Sequence, residues 1–215
     1  MTTLTVDERR AADYWRTHLW CDTPDPDLVV KNQMFQEDAG AAVVLDFVAR
    51  GILPAPRRYF EPGFAFGRNL ATLYAAIGGE PYGLEIDQRA ADAVRASIPT
   101  VRVYVENIFT FDFGQFPTGF FDLTFTRSFL FFLPRSQRKR RVIADLQRIS
   151  QFVLALEVPS LRVPEWVEGD RYHGWDDYQE YGFACRYGYS ATAQRPKNVV
   201  AWTWERRLTA MEETG

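Results

Sequence analysis

The sequence has few cysteines, few histidines and no long apolar run. Cys21 and Cys185 are the only cysteines among 215 residues, too few for a disulfide scaffold or for a zinc site built from cysteine alone. No stretch of about 18 apolar residues occurs, and no early apolar run resembles a signal peptide. We therefore expect no membrane partner and a cytoplasmic protein.

The chain also lacks an excess of basic over acidic side chains. The chain has 28 acidic and 25 basic side chains, a net charge of −3, whereas dedicated nucleic-acid binders are usually basic. The basic run at 135–141 precedes Val142, Leu146 and Ile149, which share one helical face, so it indicates the solvated side of an amphipathic helix. No acidic or histidine cluster has metal-ligand spacing. These features predict neither a nucleic-acid partner nor a metal.

Apolar and aromatic residues, by contrast, are plentiful. They make up 47% and 15% of the chain, which favours a packed domain with a small-molecule pocket. The N-terminal part predicts helices at 5–19, where Thr5 and Glu8 fit a capping box, and at 38–50, before Gly51. We expect residues 1–52 to form a helical cap, in which large aromatics such as Trp15 either cover a pocket or pack on the sheet.

Strand and helix patterns alternate in the rest of the chain. Strands are predicted at 57–61, 81–86, 101–105, 120–126 and 151–157, with helices at 69–77, at 87–97 and after Pro134. Such alternation indicates a parallel sheet covered by helices on both faces. Strands at 182–190 and 198–207 leave no room for a helix between them and predict a terminal antiparallel hairpin. The expected fold is α/β, with seven strands in a mostly parallel sheet.

One loop carries the functional argument. Glu61 ends a predicted strand, Gly63, Ala65 and Gly67 follow at alternate positions, and a helix begins directly afterwards. Glycine lets the backbone approach a ligand closely and adopt unusual dihedral angles. Glu85 ends the next strand, about 20 residues beyond the loop, where an acidic side chain can accept hydrogen bonds from ribose hydroxyls.

Two cofactors suit such a loop. A dinucleotide site has the spacing G-x-G-x-x-G, with pyrophosphate on the helix N-terminus. This chain has Glu-x-Gly-x-Ala-x-Gly at 61–67, which resembles the first motif of class I S-adenosylmethionine-dependent methyltransferases. In that family the loop holds the amino-acid part of the cofactor. The resemblance covers about residues 57–207 and implies a Rossmann-like domain at 53–215 with S-adenosylmethionine as cofactor.

The resemblance also implies the site residues. Asn107 falls where the family usually has an aspartate beside the adenine, although it equally suits a turn cap. Residues 121–130 resemble the family's fourth strand, whose end lies beside the methyl group. The implied cofactor-binding residues are Glu61, Pro62, Gly63, Ala65, Gly67, Asn69, Glu85, Ile86, Asn107, Ile108, Thr126 and Arg127.

A polar and aromatic insert at about 159–181 is expected to cover the substrate side. His173 is the candidate general base, because histidine titrates near neutral pH; the alternative is a surface-loop histidine. The predicted substrate contacts are Tyr172, Trp175, Tyr178 and Phe129.

The finer pattern is similar to the small methylases associated with pseudaminic-acid biosynthesis. The segments that carry this looser likeness begin at Gly83, Asn107, Phe121, Tyr181 and Trp202. It indicates a biosynthetic setting more than a particular substrate.

The sequence therefore favours a methyltransferase that acts on oxygen or nitrogen of a small molecule, such as a sugar or secondary metabolite. Ala65 and Asn107 depart from the family pattern and motivate an alternative without methyl transfer, a binding subunit or cyclase-like enzyme. The segment 126–129 lacks the Asn/Asp-Pro-Pro-aromatic motif of base-amino methylases, and the glycine spacing disfavours a nicotinamide oxidoreductase. A homodimer is one prediction for the oligomeric state, which the sequence leaves open.

Overall fold

The computed structural model describes residues 3–18, 39–157, 175–190 and 198–206. Six α-helices lie in these ranges: α1 (Val6–His18), α2 (Ala39–Ala49), α3 (Arg68–Ile77), α4 (Gln88–Ser97), α5 (Gln137–Ile149) and α6 (Trp175–Glu180). The seven strands are β1 (Arg58–Pro62), β2 (Glu80–Glu85), β3 (Arg102–Val105), β4 (Phe121–Arg127), β5 (Ser150–Glu157), β6 (Ala184–Ser190) and β7 (Asn198–Glu205).

All seven strands form one sheet in the order β3-β2-β1-β4-β5-β7-β6. Strands β1 to β5 pair in parallel, whereas β7 runs antiparallel to both β5 and β6. The predicted parallel sheet and terminal hairpin are confirmed. Because the order reverses direction between β1 and β4, the carboxyl ends of these strands flank a crevice of the kind that binds ligands in α/β sheets.

Each face of the sheet packs on its own hydrophobic core. Strand β5 shows the alternation: Phe152, Leu154 and Leu156 face the core under α2, α3 and α4, while Val153 and Ala155 face the core under α5. Helix α2 contributes the fully buried Phe47 to the first core. The prediction of helices on both faces is confirmed.

The ends of the helices follow local capping chemistry. The Thr5 backbone N–H donates to Glu8 Oε2 at 2.8 Å, and the Glu8 N–H donates to Thr5 Oγ1 at 3.2 Å, which confirms the predicted capping box. The Asp87 carboxylate accepts from the Arg89 N–H at 2.7 Å and begins α4. Within the described part, no helix is long and apolar enough to cross a membrane.

Helix α1 is joined to the loop before α5. Glu8 is buried, and its carboxylate accepts from Ser136 Oγ at 2.9 Å and pairs with Arg138. Although burial opposes ionisation, the hydrogen bonds from Thr5 and Ser136 and the Arg138 charge hold the pKa of Glu8 below its usual value. This contact positions Ala11 and Ala12 of α1 over the carboxyl edge of the sheet.

The basic helix α5 departs from its prediction at one position. Arg140 is exposed and pairs with Glu180, as expected for a solvated face. Lys139, however, is 1% exposed, and its ammonium group donates to the carbonyl oxygens of Leu130 and Leu133. This cation therefore fixes the turn after β4 instead of facing water.

Candidate functional site

A pocket that is open on one side lies at the carboxyl edge of β1 to β4. Its lining consists of Ala11, Ala12, Gly63, Ala65, Leu84, Glu85, Ile86, Glu106, Asn107, Ile108, Phe109, Ser128, Phe129, Phe132 and Leu133. Among these described residues there is no lysine, arginine or histidine. The wall is mostly apolar with a few polar groups, which is typical of small-molecule sites.

Every second residue of the loop after β1, from 63 to 67, has a left-handed backbone conformation. Gly63, Ala65 and Gly67 have φ values of 69°, 49° and 65°. A Cβ at Gly67 would lie 2.3 Å from Val94 Cγ2, and one at Gly63 would lie 2.2 Å from Phe129 Cδ2. Glycine at 63 therefore lets the Phe129 ring lie directly on the loop. Ala65 adopts the same conformation at a steric cost.

Glu85 joins this loop to the end of β2. Its Oε2 accepts from the Ala65 N–H at 2.9 Å, and its Oε1 accepts from the N–H groups of Ile86 and Asp87 at 2.7 and 3.3 Å. Burial raises the pKa of Glu85, an effect that these three hydrogen bonds oppose. The carboxylate thus fixes the loop against β2 while remaining in the pocket wall.

Glu61 lies directly behind the loop and is almost completely buried. Its Oε1 accepts from Asn69 Nδ2 at 2.8 Å, and Asn69 Oδ1 in turn accepts from the Ala41 N–H at 3.2 Å. Its Oε2 is buried without a hydrogen-bond partner. Burial raises the pKa of Glu61 to about 8, and the nearby Glu85 acts in the same direction, against the Asn69 hydrogen bond and the Arg127 charge.

Asn107 caps a turn and also lines the pocket. Its Oδ1 accepts from the Phe109 N–H at 2.9 Å, and its carbonyl oxygen accepts from the N–H groups of Thr110 and Phe111, so it caps the turn after β3. Asn107 and Ile108 also line the pocket. Since the Oδ1 atom accepts the Phe109 hydrogen bond, the side chain presents its Nδ2 donor for any further contact.

Two unsatisfied hydroxyls lie at the end of β4 and directly after it. Thr126 Oγ1 and Ser128 Oγ are buried without hydrogen-bond partners. Ser128 has a φ of 48°, and its N–H donates to the Leu156 carbonyl at 2.7 Å, which fixes the turn against β5. Ala65 and Ser128 are the two non-glycine residues with positive φ in the described ranges, and both line the pocket.

The structure brings half of the predicted cofactor-binding residues into the pocket wall: Gly63, Ala65, Glu85, Ile86, Asn107 and Ile108. The other six, Glu61, Pro62, Gly67, Asn69, Thr126 and Arg127, do not line it. Of these, Asn69 bears on the site through Glu61, and Gly67 begins α3.

Among the predicted substrate contacts, Phe129 lines the pocket. Tyr178 does not: it is 4% exposed and stacks on Trp202, with ring centroids 5.0 Å apart. Its ring packs the core between α6 and the hairpin. Tyr172 and His173 lie outside the described residues, as does the side chain of Trp175.

Eight lining residues were not predicted from the sequence. They are Ala11, Ala12, Leu84, Glu106, Phe109, Ser128, Phe132 and Leu133. The sequence could have indicated residues 128–133 as lining residues, because they directly follow β4 and ligands bind at the carboxyl ends of parallel strands. The contribution of α1 depends on the Glu8 contact across the fold and leaves no local signal.

Comparison with solved structures shows the same fold in several methyltransferases. The magnesium protoporphyrin IX methyltransferase of Synechocystis, crystallised with S-adenosylmethionine, aligns at 15% identity and a TM-score of 0.62, covering 96% of this chain and 100% of its own. Geranyl diphosphate C-methyltransferase of Streptomyces coelicolor, in complex with S-adenosylhomocysteine, aligns at 12% identity and 0.65, with coverage of 96% and 100%.

A TehB-like S-adenosylmethionine-dependent methyltransferase from Corynebacterium glutamicum aligns at 15% identity and a TM-score of 0.54, covering 93% of this chain and 98% of its own. No family model matches the sequence, and no curated protein matches it significantly. At these identities the likeness shows the class I methyltransferase fold. The closer resemblance to pseudaminic-acid-associated methylases is not among these findings and stays a prediction.

Proposed function

We propose that this protein is an S-adenosylmethionine-dependent methyltransferase that acts on a small-molecule acceptor. One observation supports this most strongly: the pocket at the carboxyl edge is lined by the glycine-containing loop and the buried Glu85, with a second buried carboxylate, Glu61, behind the loop. The fold neighbours crystallised with S-adenosylmethionine or its product support the same cofactor.

The residues behind the loop fit the amino-acid part of such a cofactor. A buried carboxylate with an unsatisfied oxygen is costly unless a cation or donor pairs with it, and Glu61 Oε2 is such an atom. An ammonium group would supply both the charge and the hydrogen bond. Asn69 holds Glu61 Oε1 and so keeps the other oxygen in place for this contact.

The residues at the ends of β2 and β3 fit the nucleoside part. Glu85 Oε2 accepts a single protein hydrogen bond and so keeps acceptor capacity for a ribose hydroxyl. Asn107 would offer its Nδ2 donor to a ring nitrogen of the base. The Ala65 methyl group lies in the wall without closing the pocket.

The cofactor supplies a methyl group on a positively charged sulfur atom. The protein's part is to align the acceptor with that methyl and to exclude water, and alignment contributes most to such displacements. The apolar residues Phe129, Phe132 and Leu133 provide a dry wall beside the end of β4. His173 remains the proposed base for an acceptor that must lose a proton.

The finer points of the proposal rest on the sequence. We propose methylation of oxygen or nitrogen in a biosynthetic pathway of the cytoplasm, with residues 1–52 as a cap and about 159–181 as a cover for the substrate. The alternative is a protein of the same fold without methyl transfer, a binding subunit or a cyclase-like enzyme. Asn107 and Ala65, whose N–H occupies part of the Glu85 carboxylate, motivate this alternative.

Titration calorimetry with S-adenosylhomocysteine tests the cofactor. We expect micromolar binding to the wild-type protein, at least tenfold weaker binding to Glu85→Gln, and no binding of NAD⁺. Release of S-adenosylhomocysteine from S-adenosylmethionine in the presence of candidate acceptors then separates a transferase from a non-transferring binder. Binding of NAD⁺ in place of S-adenosylhomocysteine would contradict the proposal.

A further inference from the structure

The pocket has two chemically different halves. Glu85, Glu106 and Asn107 lie at the ends of β2 and β3, on one side of the crevice, next to the apolar Leu84, Ile86, Ile108 and Phe109. On the other side, the end of β4 and helix α1 contribute Ala11, Ala12, Phe129, Phe132 and Leu133. Since the polar half suits the cofactor's nucleoside, the apolar half is left for the acceptor.

Ser128 is the exception in this apolar half. Its hydroxyl is buried and makes no hydrogen bond, and its backbone is in the left-handed region at a φ of 48°. Glycine would fit that backbone with less strain and would leave no hydroxyl unsatisfied. Strained backbone and unpaired polar atoms that occur together are typical of sites where a ligand completes the structure.

The charges around the pocket restrict what can bind there. Within the described residues, no lysine, arginine or histidine lines the wall, and its two charged groups, Glu85 and Glu106, are acidic. A phosphate or carboxylate on the acceptor would lie beside Glu85 and Glu106, and the described lining residues offer no lysine, arginine or histidine to pair with it, which makes its burial there unfavourable. A sugar would also leave several hydroxyls unsatisfied, because Ser128 is the one residue with a polar side chain among the lining residues of the apolar half.

We propose that Ser128 hydrogen-bonds the reacting hydroxyl or amine of an uncharged, ring-bearing acceptor, whose ring lies against Phe129 and Phe132. This inference rests on the proposed methyltransferase function and narrows it. Ser128 is then a substrate-contacting residue that fixes the acceptor's nucleophilic atom at the end of β4. Lys139 supports it from behind by holding the Leu130 and Leu133 carbonyls.

The test uses the full chain saturated with S-adenosylhomocysteine and three matched probes: 4-methylphenol, toluene and 4-methylphenyl phosphate. Ligand-observed NMR titration measures the Kd of each. We expect 4-methylphenol to bind in the millimolar range, toluene to bind more weakly by the loss of one hydrogen bond, and the phosphate ester to bind at least tenfold more weakly than 4-methylphenol.

Variants of Ser128 assign the hydrogen bond. Ser128→Ala removes the hydroxyl, and Ser128→Gly removes it while relaxing the turn, so a folding defect in one leaves the other usable. Both are expected to weaken 4-methylphenol binding about three- to tenfold and to leave toluene unchanged. Ser97→Ala, on the exposed face of α4, is the matched control and should change neither Kd.

The outcomes distinguish a failure of this inference from a failure of the proposed function. If S-adenosylhomocysteine binds but 4-methylphenol does not bind at 10 mM, if both Ser128 variants bind it as the wild type does, or if the phosphate ester binds equally well, this inference is wrong and the proposed function stands. If S-adenosylhomocysteine itself does not bind, the proposed function fails and this inference falls with it.

Discussion

The amino-terminal half of the parallel sheet and its carboxyl edge differ in packing, backbone strain and hydrogen bonding. In the amino-terminal half, Phe60, Tyr82, Phe116 and Phe121 form a buried aromatic cluster with ring centroids 4.9–6.5 Å apart. At the carboxyl edge the backbone is strained and polar atoms are unsatisfied. The same strands run through both regions, so the difference lies in what each end must do.

Polar groups at the amino-terminal half are satisfied. The Asp122 carboxylate accepts from the N–H groups of Arg57 and Arg58 at 2.8 Å each, and the Arg58 guanidinium lies 4.4 Å from the Phe120 ring centroid. The Tyr59 hydroxyl donates to the Gly78 carbonyl at 3.0 Å. In this region the side chains are closely packed and these polar groups have partners, as expected of a region that only stabilises the fold.

The carboxyl edge violates the same rules at four positions. Ala65 and Ser128 have positive φ, and Glu61, Thr126 and Ser128 each bury an oxygen without a partner. Violations of this kind persist where function requires them. The strained backbone and the unpaired buried oxygens therefore mark the candidate ligand site.

The largest expected effect tests the amino-terminal half. Phe121→Ala should lower the free energy of unfolding by about 3–5 kcal/mol, because it leaves a cavity among closely packed rings. Denaturant unfolding measures the loss, and Phe121→Leu should show a smaller one. S-adenosylhomocysteine affinity of the folded protein should stay within about threefold; a tenfold loss would break the separation of the two regions.

The next effect tests the glycine loop. Gly63→Ala should weaken S-adenosylhomocysteine binding at least about 100-fold, roughly 2.7 kcal/mol, because its Cβ would displace the Phe129 ring from the loop. Gly51→Ala is the matched control: it has a φ of 67°, but nothing lies within 4 Å of its Cβ. Calorimetry should show unchanged binding for the control. If both variants lost the same amount of affinity, backbone strain alone would explain the loss, and the contact with Phe129 would not.

The pH dependence tests the buried acid. Because the folded-state pKa of Glu61 is raised to about 8, above the ordinary 4.5, folding favours its neutral form. The contribution of Glu61 to the free energy of unfolding should therefore be fully present below pH 4.5 and should be lost as the pH rises through about 8. Glu85, whose pKa is also raised by burial, contributes in the same direction.

Cofactor binding should show the opposite trend, since the ammonium group of the ligand prefers ionised Glu61. S-adenosylhomocysteine affinity should rise about tenfold between pH 6 and pH 8, a change that one ionising group of this pKa can supply. Glu61→Gln should flatten much of both profiles, measured by denaturant unfolding and calorimetry. An unaltered affinity profile in this variant would exclude Glu61 from the cofactor contact.

The smallest effect concerns the strain at Ala65. Ala65→Gly should raise the free energy of unfolding by about 0.5–1 kcal/mol, because glycine adopts a φ of 49° without the steric cost. The control has the opposite sign: Ala75→Gly, exposed within α3, should lower it by about 1 kcal/mol. Thermal unfolding compares the two, and a loss in both variants would show that Ala65 is not strained.

The features predicted from sequence are those with a local or periodic cause. The Thr5–Glu8 capping box, the mostly parallel sheet with its terminal hairpin and the glycine loop each follow from short-range patterns. The burial of Lys139 and Tyr178 does not, because it depends on carbonyls and rings supplied by distant parts of the chain.

The candidate site divides in the same way. Gly63, Glu85 and Asn107 lie in the pocket wall as the motif spacing indicated. The unsatisfied Ser128 hydroxyl and the bridge from Ala41 through Asn69 to Glu61 arise only when separate elements pack together. Tertiary contacts of this kind have no periodic signature in the chain.

Thermal unfolding with and without S-adenosylhomocysteine tests the central claim most directly. Ligand at about 100 times its Kd should add roughly 2.7 kcal/mol to the free energy of unfolding, a rise in Tm of about 5–10 °C for a chain of this size. The account predicts that rise for the wild type and for Gly51→Ala, and its loss in Gly63→Ala. An unchanged wild-type Tm at millimolar S-adenosylhomocysteine would contradict it.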